Sequence, residues 1–166
     1  MRLEPQRWLS VVALGVVVLA GAVACASGNN STVTIPAATG GDITLTVDRT
    51  SYMPSMPVGV TMKNVSKKSY YALDGRTACT FLQLEEYVQA RKAWAAVNLC
   101  TLGAQPTARL VSPGANEPFT FAPGNAPADA NKWLSGLYRV SLTYGTKADG
   151  SGPTTVSYSA GFVVSG

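Results

Sequence analysis

The chain has 166 residues, of which 13% are charged and 46% are hydrophobic, and its formal net charge is +4. A charged fraction of about half the usual 25% is typical of exported, β-rich proteins, and so small a positive charge gives no indication of a nucleic-acid partner. The sequence contains no histidine. This excludes Ser-His-Asp and Cys-His catalytic arrangements and imidazole metal sites.

The N-terminus has the pattern of an export signal. Arg2 and Arg7 precede an uncharged apolar run, residues 9–24, which ends in small residues. This run is shorter than the roughly 20 residues that a membrane-spanning helix requires, so we expect cleavage rather than a permanent span. The prediction is a signal peptide over residues 1–24.

Cys25 follows these small residues directly. Its position resembles that of the lipidated cysteine of bacterial lipoproteins, which receives diacylglycerol before the peptidase cleaves on its N-terminal side. Ala22 stands where that signal usually has leucine, and residues 22–24 also fit an ordinary small-x-small secretory site. We predict lipidation of Cys25, with ordinary secretion as the alternative. The resemblance implies a protein anchored to the bacterial cell membrane on its extracytoplasmic side.

The cysteine count agrees with this prediction. Three cysteines are unusual in an exported chain, where cysteines normally pair. If Cys25 carries lipid, Cys79 and Cys100 remain as a natural disulfide in an oxidising compartment.

Two further regions follow Cys25. Residues 26–41 are uncharged, small and polar without apolar periodicity, which predicts a flexible tether. From Asp42 onward the pattern changes to the period of two that is typical of strands with one buried face. We therefore expect a lipidated N-terminus with tether over residues 25–41, and one domain over residues 42–166. Strands are predicted at 43–47, 58–62, 70–73, 108–111, 119–121, 138–144 and 156–164.

The segment between Cys79 and Cys100 permits two interpretations. It lacks glycine and proline, so a short helix is possible by composition. We favour a hairpin, in which Leu82 would lie opposite Val97 and Leu84 opposite Ala95. The absence of turn-forming residues at 88–91 counts against the hairpin.

Several stretches together resemble a known kind of domain. ITLTV at 43–47, YMPSMPV at 52–58, VTMKNVS at 60–66, GLYRV at 136–140 and AGFVV at 160–164 are similar to bacterial immunoglobulin-like domains of surface lipoproteins. The first of them are also similar to the related sandwich of bacterial proteinase inhibitors. The resemblance implies an all-β fold, an antiparallel immunoglobulin-like β-sandwich of about 7–8 strands.

The sequence shows no set of residues for catalysis. Glu85 and Glu86 are adjacent, so on a strand they point to opposite faces and do not act as a pair. We interpret them as part of a partly exposed strand edge. No catalytic residue, metal site or cofactor is predicted.

The expected function is therefore a non-catalytic binding or scaffolding module. The candidate partner contacts are Trp94, Tyr87, Arg91 and Lys92, because a bridged segment is pre-organised and because aromatic residues and arginine dominate protein interfaces. The expected partners are the membrane, through the lipid, and an envelope protein or a wall polymer. The alternative is a proteinase inhibitor that presents a loop of the sandwich; an enzyme that uses Asp, Ser and Lys is a more distant alternative.

Overall fold

The structure is a computed structural model that describes residues 34–73, 81–97, 108–123 and 132–166. In these ranges the chain forms eleven strands and one 3₁₀ turn, Gln89–Arg91. The strands are β1 (Ile43–Val47), β2 (Ser51–Tyr52), β3 (Val58–Asn64), β4 (Tyr70–Leu73), β5 (Gln83–Val88), β6 (Ala93–Ala96), β7 (Ala108–Val111), β8 (Asn116–Phe121), β9 (Gly136–Gly145), β10 (Thr154–Tyr158) and β11 (Phe162–Val164). The predicted all-β fold is confirmed.

The strands form two sheets. The smaller sheet has the order β1-β3-β8. In the larger sheet β9 is central: β11 and β10 pair along one side of it, and β5 and β4 along the other. Outside these lie β2 next to β11, β6 next to β5, and β7 next to β4.

Two details of the predicted sandwich are wrong. The described residues contain eleven strands rather than about 7–8, partly because the two-residue strand β2 was not predicted. The sheets are also not purely antiparallel, since β11 pairs with β2 in parallel, with Val164 beside Tyr52. These two strands come from distant parts of the chain, so no tight turn forces them to be antiparallel.

The hydrophobic core lies between inward-facing alternate residues of the two sheets. In β3, positions 58, 60 and 62 are buried while 61 and 63 are exposed, as the period of two predicts. The buried apolar residues of β1, β3 and β9 are Ile43, Leu45, Val58, Val60, Met62, Tyr138, Val140, Leu142 and Tyr144. Tyr144 is buried with the other even-numbered residues of 138–144, as the period of two in that predicted strand implies.

A β-bulge separates β10 from β11. Tyr158 lies opposite Ser141, and Phe162 lies opposite Tyr138. The three residues 159–161 therefore face only two residues of β9. One extra residue of this kind is what defines a bulge, and it bends the strand that carries it.

The bulge reverses the alternation along the C-terminal segment. Phe162 and Val164 are buried in the core, whereas Val156 is 40% exposed and shares the outer face of the sheet with Tyr158. The prediction of one continuous strand over 156–164, with these residues on one face, is therefore wrong. An inserted residue changes the face of every residue that follows it.

The predicted tether overlaps the described residues at 34–41, and here it pairs with the domain. Thr39 and Tyr158 exchange two backbone hydrogen bonds, and Gly161 N–H donates to the carbonyl of Pro36 at 2.9 Å. Gly161 is suited to this contact because a Cβ there would lie 2.7 Å from Cδ of Pro36. Within the described residues, pairing with the domain therefore includes Pro36, before the predicted boundary at Asp42.

The hairpin interpretation of the segment after Cys79 is confirmed, but its register differs. Leu84 lies opposite Val97, whose N–H donates to the Leu84 carbonyl at 2.9 Å, and Ala95 lies opposite Glu86 rather than Leu84. The shift of two residues keeps every side chain on the predicted face. The connection is the 3₁₀ turn followed by Lys92 in the left-handed conformation, with φ of 49°. Four-residue hairpin loops are commonly built in this way.

Lys92→Gly is expected to stabilise the protein by about 0.5–1 kcal/mol, because a left-handed conformation is unfavourable for a residue with a Cβ. The free energy of unfolding in urea measures this effect. Arg91→Gly is the matched control, since Lys92 is the only non-glycine residue with positive φ in the described ranges. The glycine should therefore destabilise position 91, and a loss of stability at both positions would contradict the prediction.

Candidate interaction surface

Four side chains form a continuous row across the outer face of the larger sheet: Tyr87, Trp94, Arg139 and Tyr158. We call them the aromatic–arginine row. Tyr87 lies on β5, Trp94 on β6, Arg139 on β9 and Tyr158 on β10. The row thus crosses four strands that are separate in sequence, and it is the most distinctive feature of the sheet's outer surface.

The strand registers explain why these residues share one face. Val140 is buried in the core opposite Leu84, so their neighbours Arg139 and Glu85 face outward, opposite each other. Tyr87 lies two residues after Glu85 on β5, so it is the next residue that faces outward. On the other side of β9, the bulge leaves Tyr158 facing outward as well.

Tyr87 and Trp94 are directly opposite each other, with ring centroids 5.4 Å apart in an edge-to-face arrangement. The Val97 N–H donates to the Leu84 carbonyl, so Leu84 with Val97 and Glu86 with Ala95 are hydrogen-bonded pairs. Tyr87 and Trp94 are the next pair in the ladder and therefore form the closer, non-hydrogen-bonded type of pair. Edge-to-face rings at this distance attract each other beyond their area burial.

Arg139 connects the hairpin to the other side of the row. Its Cζ atom lies 4.2 Å from the ring centroid of Trp94 and 3.8 Å from that of Tyr158. Both distances are well within the range of a cation–π interaction. One guanidinium therefore holds two aromatic rings that belong to strands on opposite sides of β9.

A carboxylate fixes this guanidinium in turn. Arg139 Nε donates to Glu85 Oε2 at 2.7 Å, and the Ser141 hydroxyl donates to Glu85 Oε1 at 2.8 Å. The side chains of Arg139 and Glu85 are only 18% and 16% exposed. Such a charge-assisted network in a poorly hydrated place restricts rotation, so the row presents a pre-organised surface.

Glu86 faces the opposite side from Glu85, so the prediction that the two carboxylates cannot act as a pair is confirmed. A Cβ on Gly136 would lie 3.2 Å from Glu86 Oε1. Burial and the nearby Glu86 carboxylate raise the pKa of Tyr138 to about 12. The interpretation of these residues as a strand edge is wrong, since β5 is paired on both sides, with β6 and β9.

The predicted contact residues divide into two groups. Trp94 and Tyr87 belong to the row, while Arg91 and Lys92 lie exposed at the tip of the hairpin. Cys25, Cys79 and Cys100, predicted for lipid attachment and a disulfide, lie outside the described residues. Trp133 is not part of the row; it is buried, with Nε1 donating to the Met56 carbonyl at 2.7 Å.

Sequence reasoning missed Arg139, Tyr158 and Glu85 as members of this surface. The alternation of β9 does place Arg139 outward, and this signal was present in the sequence. For Tyr158 the alternation pointed to the wrong face because of the bulge.

In the four described ranges, no group of three or more His, Cys, Asp or Glu residues is placed to hold a metal ion. Within those ranges, no helix is long and apolar enough to span a membrane.

Comparisons with known proteins give little further information. No protein-family model matches the chain, and no curated protein matches it. Among solved structures, the chain is similar to a mutant β-glucosidase from Listeria innocua in complex with laminaribiose, at 17% identity and a TM-score of 0.33. The match covers 75% of this chain but 16% of that one. A similarity this weak carries no argument about fold or function.

Proposed function

We propose that this protein is a lipoprotein of the bacterial cell envelope whose single domain is a non-catalytic binding module. The N-terminal pattern supports export and lipid attachment at Cys25, and it implies a domain that faces away from the cytoplasm. The all-β sandwich is compatible with the immunoglobulin-like type that the sequence resembles. On this proposal the lipid determines where the domain works, and the domain's outer face determines what it binds.

The observation that carries the proposal is the aromatic–arginine row. Tryptophan, tyrosine and arginine are the residues most enriched among those that dominate protein-binding energies. In this row the Glu85 carboxylate holds Arg139, and Arg139 holds two of the rings, so little side-chain entropy remains to be lost on binding. A rigid surface of this composition suits a binding module.

The arrangement favours an envelope protein over a wall polymer as the partner. Sugars bind aromatic residues by stacking on open ring faces, but Arg139 already occupies space beside Trp94 and Tyr158. Tyr87 and Trp94 also contact each other in an edge-to-face arrangement. These contacts leave the rings less free to stack on a sugar, and the row combines aromatic rings with a charged group, which fits the mixed chemistry of a protein surface.

Tyr158→Ala should weaken partner capture at least tenfold without unfolding the domain. The experiment captures envelope proteins on the full chain, kept in detergent with its lipid, and quantifies the bound proteins by mass spectrometry. Tyr71→Ala is the matched control, because Tyr71 is a tyrosine on the same outer face, in β4, outside the row. Equal capture by wild type and Tyr158→Ala, or equal losses in both variants, would refute the binding role of the row.

The same preparation tests the proposed attachment of lipid to Cys25 and thus the proposed membrane localisation. Mass spectrometry of the mature N-terminus should show an acyl mass on Cys25. A mature chain that begins at Cys25 with an unmodified thiol would contradict the lipoprotein part of the proposal and favour ordinary secretion.

A further inference from the structure

The free edge of the larger sheet at β6 differs from every other sheet edge that the structure describes. Strand β6, with the sequence AWAA, pairs with β5 on one side only. Ala93 and Ala96 are exposed, and the strand contains no charge and no proline. Unpaired edges of this kind offer backbone groups to another strand, and proteins usually protect them.

The edges at β7 and β8 carry such protection. β7 contains Arg109, and β8 contains Glu117 and Pro118. Charged residues and proline on an edge strand oppose the addition of a further strand. β2, the edge beyond β11, has only two residues.

The edges at β1 and β10 each make a described hydrogen-bonding contact instead. The Ser157 hydroxyl donates to the carbonyl of Ile43 in β1, and Thr39 pairs with Tyr158 in β10. Of the uncharged edge strands longer than two residues in the described ranges, β6 alone makes no such contact on its outer side.

The register identifies the backbone groups that β6 leaves free. Val97 donates to Leu84, so the hydrogen-bonded pairs of the hairpin are those of positions 97, 95 and 93. The N–H and C=O groups of Trp94 and Ala96 therefore point away from β5. Four backbone groups thus face an added strand, beside the end of the aromatic–arginine row.

The charges around this edge indicate which strand would fit. Arg91 and Lys92 are exposed immediately before β6. The carboxylate of Glu85 on the same face is already paired with Arg139, and Glu86 faces the opposite side of the sheet. The start of β6 is therefore positively charged and has no unpaired carboxylate on that face, which favours an acidic segment as the added strand. A second copy of this chain would bring its own Arg91 and Lys92, and these would be repelled by the same residues here.

We infer that β6 is a docking edge, which takes an extended acidic segment of a partner protein as an added strand. This inference rests on the proposed binding function and names the kind of partner segment. Backbone hydrogen bonds to Trp94 and Ala96 supply the attachment, and the contact with Arg91 and Lys92 supplies the preference for acidic residues.

The test uses the full chain in detergent and two fluorescent ten-residue peptides. Both alternate valine and threonine in the centre; one has two glutamates at each end, and the other has two lysines. Fluorescence anisotropy should show the glutamate peptide binding at least tenfold more tightly than the lysine peptide. Absence of binding by the glutamate peptide, or equal binding of the two, would overturn the inference.

Two variants locate the binding. Ala96→Pro removes an N–H that points toward the added strand and keeps the N–H groups of Ala95 and Val97 that bond β5, so binding should fall at least tenfold. Arg91→Glu leaves the strand unchanged but neutralises the net positive charge of residues 91 and 92, so it should abolish the preference for the glutamate peptide. Unchanged binding by Ala96→Pro, or an unchanged preference in Arg91→Glu, contradicts the inference, and the second variant decides the matter if the first fails to fold.

A control separates this inference from the proposed function. Tyr158→Ala changes the row but not β6, so peptide binding should be unchanged while capture of the envelope partner falls. If Tyr158→Ala abolished peptide binding and Ala96→Pro did not, the row would be the peptide site and the edge inference would be wrong. Self-association that Ala96→Pro abolished would show that the edge takes a second copy, which also overturns it.

Discussion

Asn64→Ala is expected to lower the free energy of unfolding by about 3 kcal/mol, because this buried side chain satisfies five polar groups at once. Asn64 is 1% exposed. Its Nδ2 group donates to the carbonyls of Lys68, Val111 and Ser112 at 2.8, 3.2 and 3.1 Å, and its Oδ1 atom accepts from the N–H and the hydroxyl of Ser66. One side chain thus joins the turn after β3 to the turn after β7.

Alanine at position 64 would remove these hydrogen bonds. The carbonyls of Lys68 and Ser112 keep bonds from the Ser66 hydroxyl and the Ala115 N–H, so the cost comes mainly from the remaining groups, at about 1–3 kcal/mol for each buried group left unsatisfied. Urea denaturation measures the change. Asn116→Ala is the matched control, since Asn116 lies exposed in β8, and its effect should stay within about 0.5 kcal/mol. Similar losses for the two variants would show that Asn64 does not hold the turns together.

Arg139→Ala is expected to lower the free energy of unfolding by about 2–3 kcal/mol. The substitution leaves the carboxylate of Glu85, only 16% exposed, without its ion-pair partner, and it also removes the cation that holds Trp94 and Tyr158. Urea denaturation again measures the change. Arg109→Ala provides a comparison, because the ion pair of Arg109 with Glu117 is more exposed, at 39% and 27%; its loss should cost less.

A double-mutant cycle shows whether the unpaired carboxylate is the cause. Glu85→Ala combined with Arg139→Ala should destabilise the protein less than the sum of the two single variants, with a coupling energy of about 1–2 kcal/mol. Additive effects would mean that the two side chains stabilise the sheet independently and that the row is not held as one unit.

The stability of the row also bears on the binding experiments. Tyr158→Ala removes one cation–π contact, which is worth about 0.5–1 kcal/mol at a partly exposed site. This is small against the stability of a typical domain. A large loss of partner capture by Tyr158→Ala would therefore reflect recognition rather than unfolding, whereas Arg139→Ala would combine the two effects.

Much of the fold follows from local pattern. The alternation of apolar residues predicts β1, β3 and β9 because each has one face in the core and each pairs within a regular ladder. The hairpin was also predictable, and with it the shared outer face of Tyr87 and Trp94, since a register error of two residues preserves the faces. Together with Arg139, which the alternation of β9 turns outward, three of the four residues of the row were thus assigned to the outer face by local pattern.

The orientation of Tyr158 depended on non-local contacts. Tyr158 faces outward because the bulge at residues 159–161 adds one residue opposite β9. Gly161 inside the predicted strand is consistent with a bulge, but the strand pairing is what shows the extra residue. The position of Lys92 in the left-handed conformation was equally hidden, because glycine or asparagine is usually the signal for it.

Export stays a prediction from the sequence. The sequence by itself determined the β class of the domain and the alternation that turns Tyr87, Trp94 and Arg139 outward, because these depend on composition and on the period of neighbouring residues. Only the tertiary structure decided that Arg139 lies between Trp94 and Tyr158 and that the backbone of β6 is left unpaired among the described residues. Strand order and register bring these groups together, and both are set by packing between distant segments of the chain.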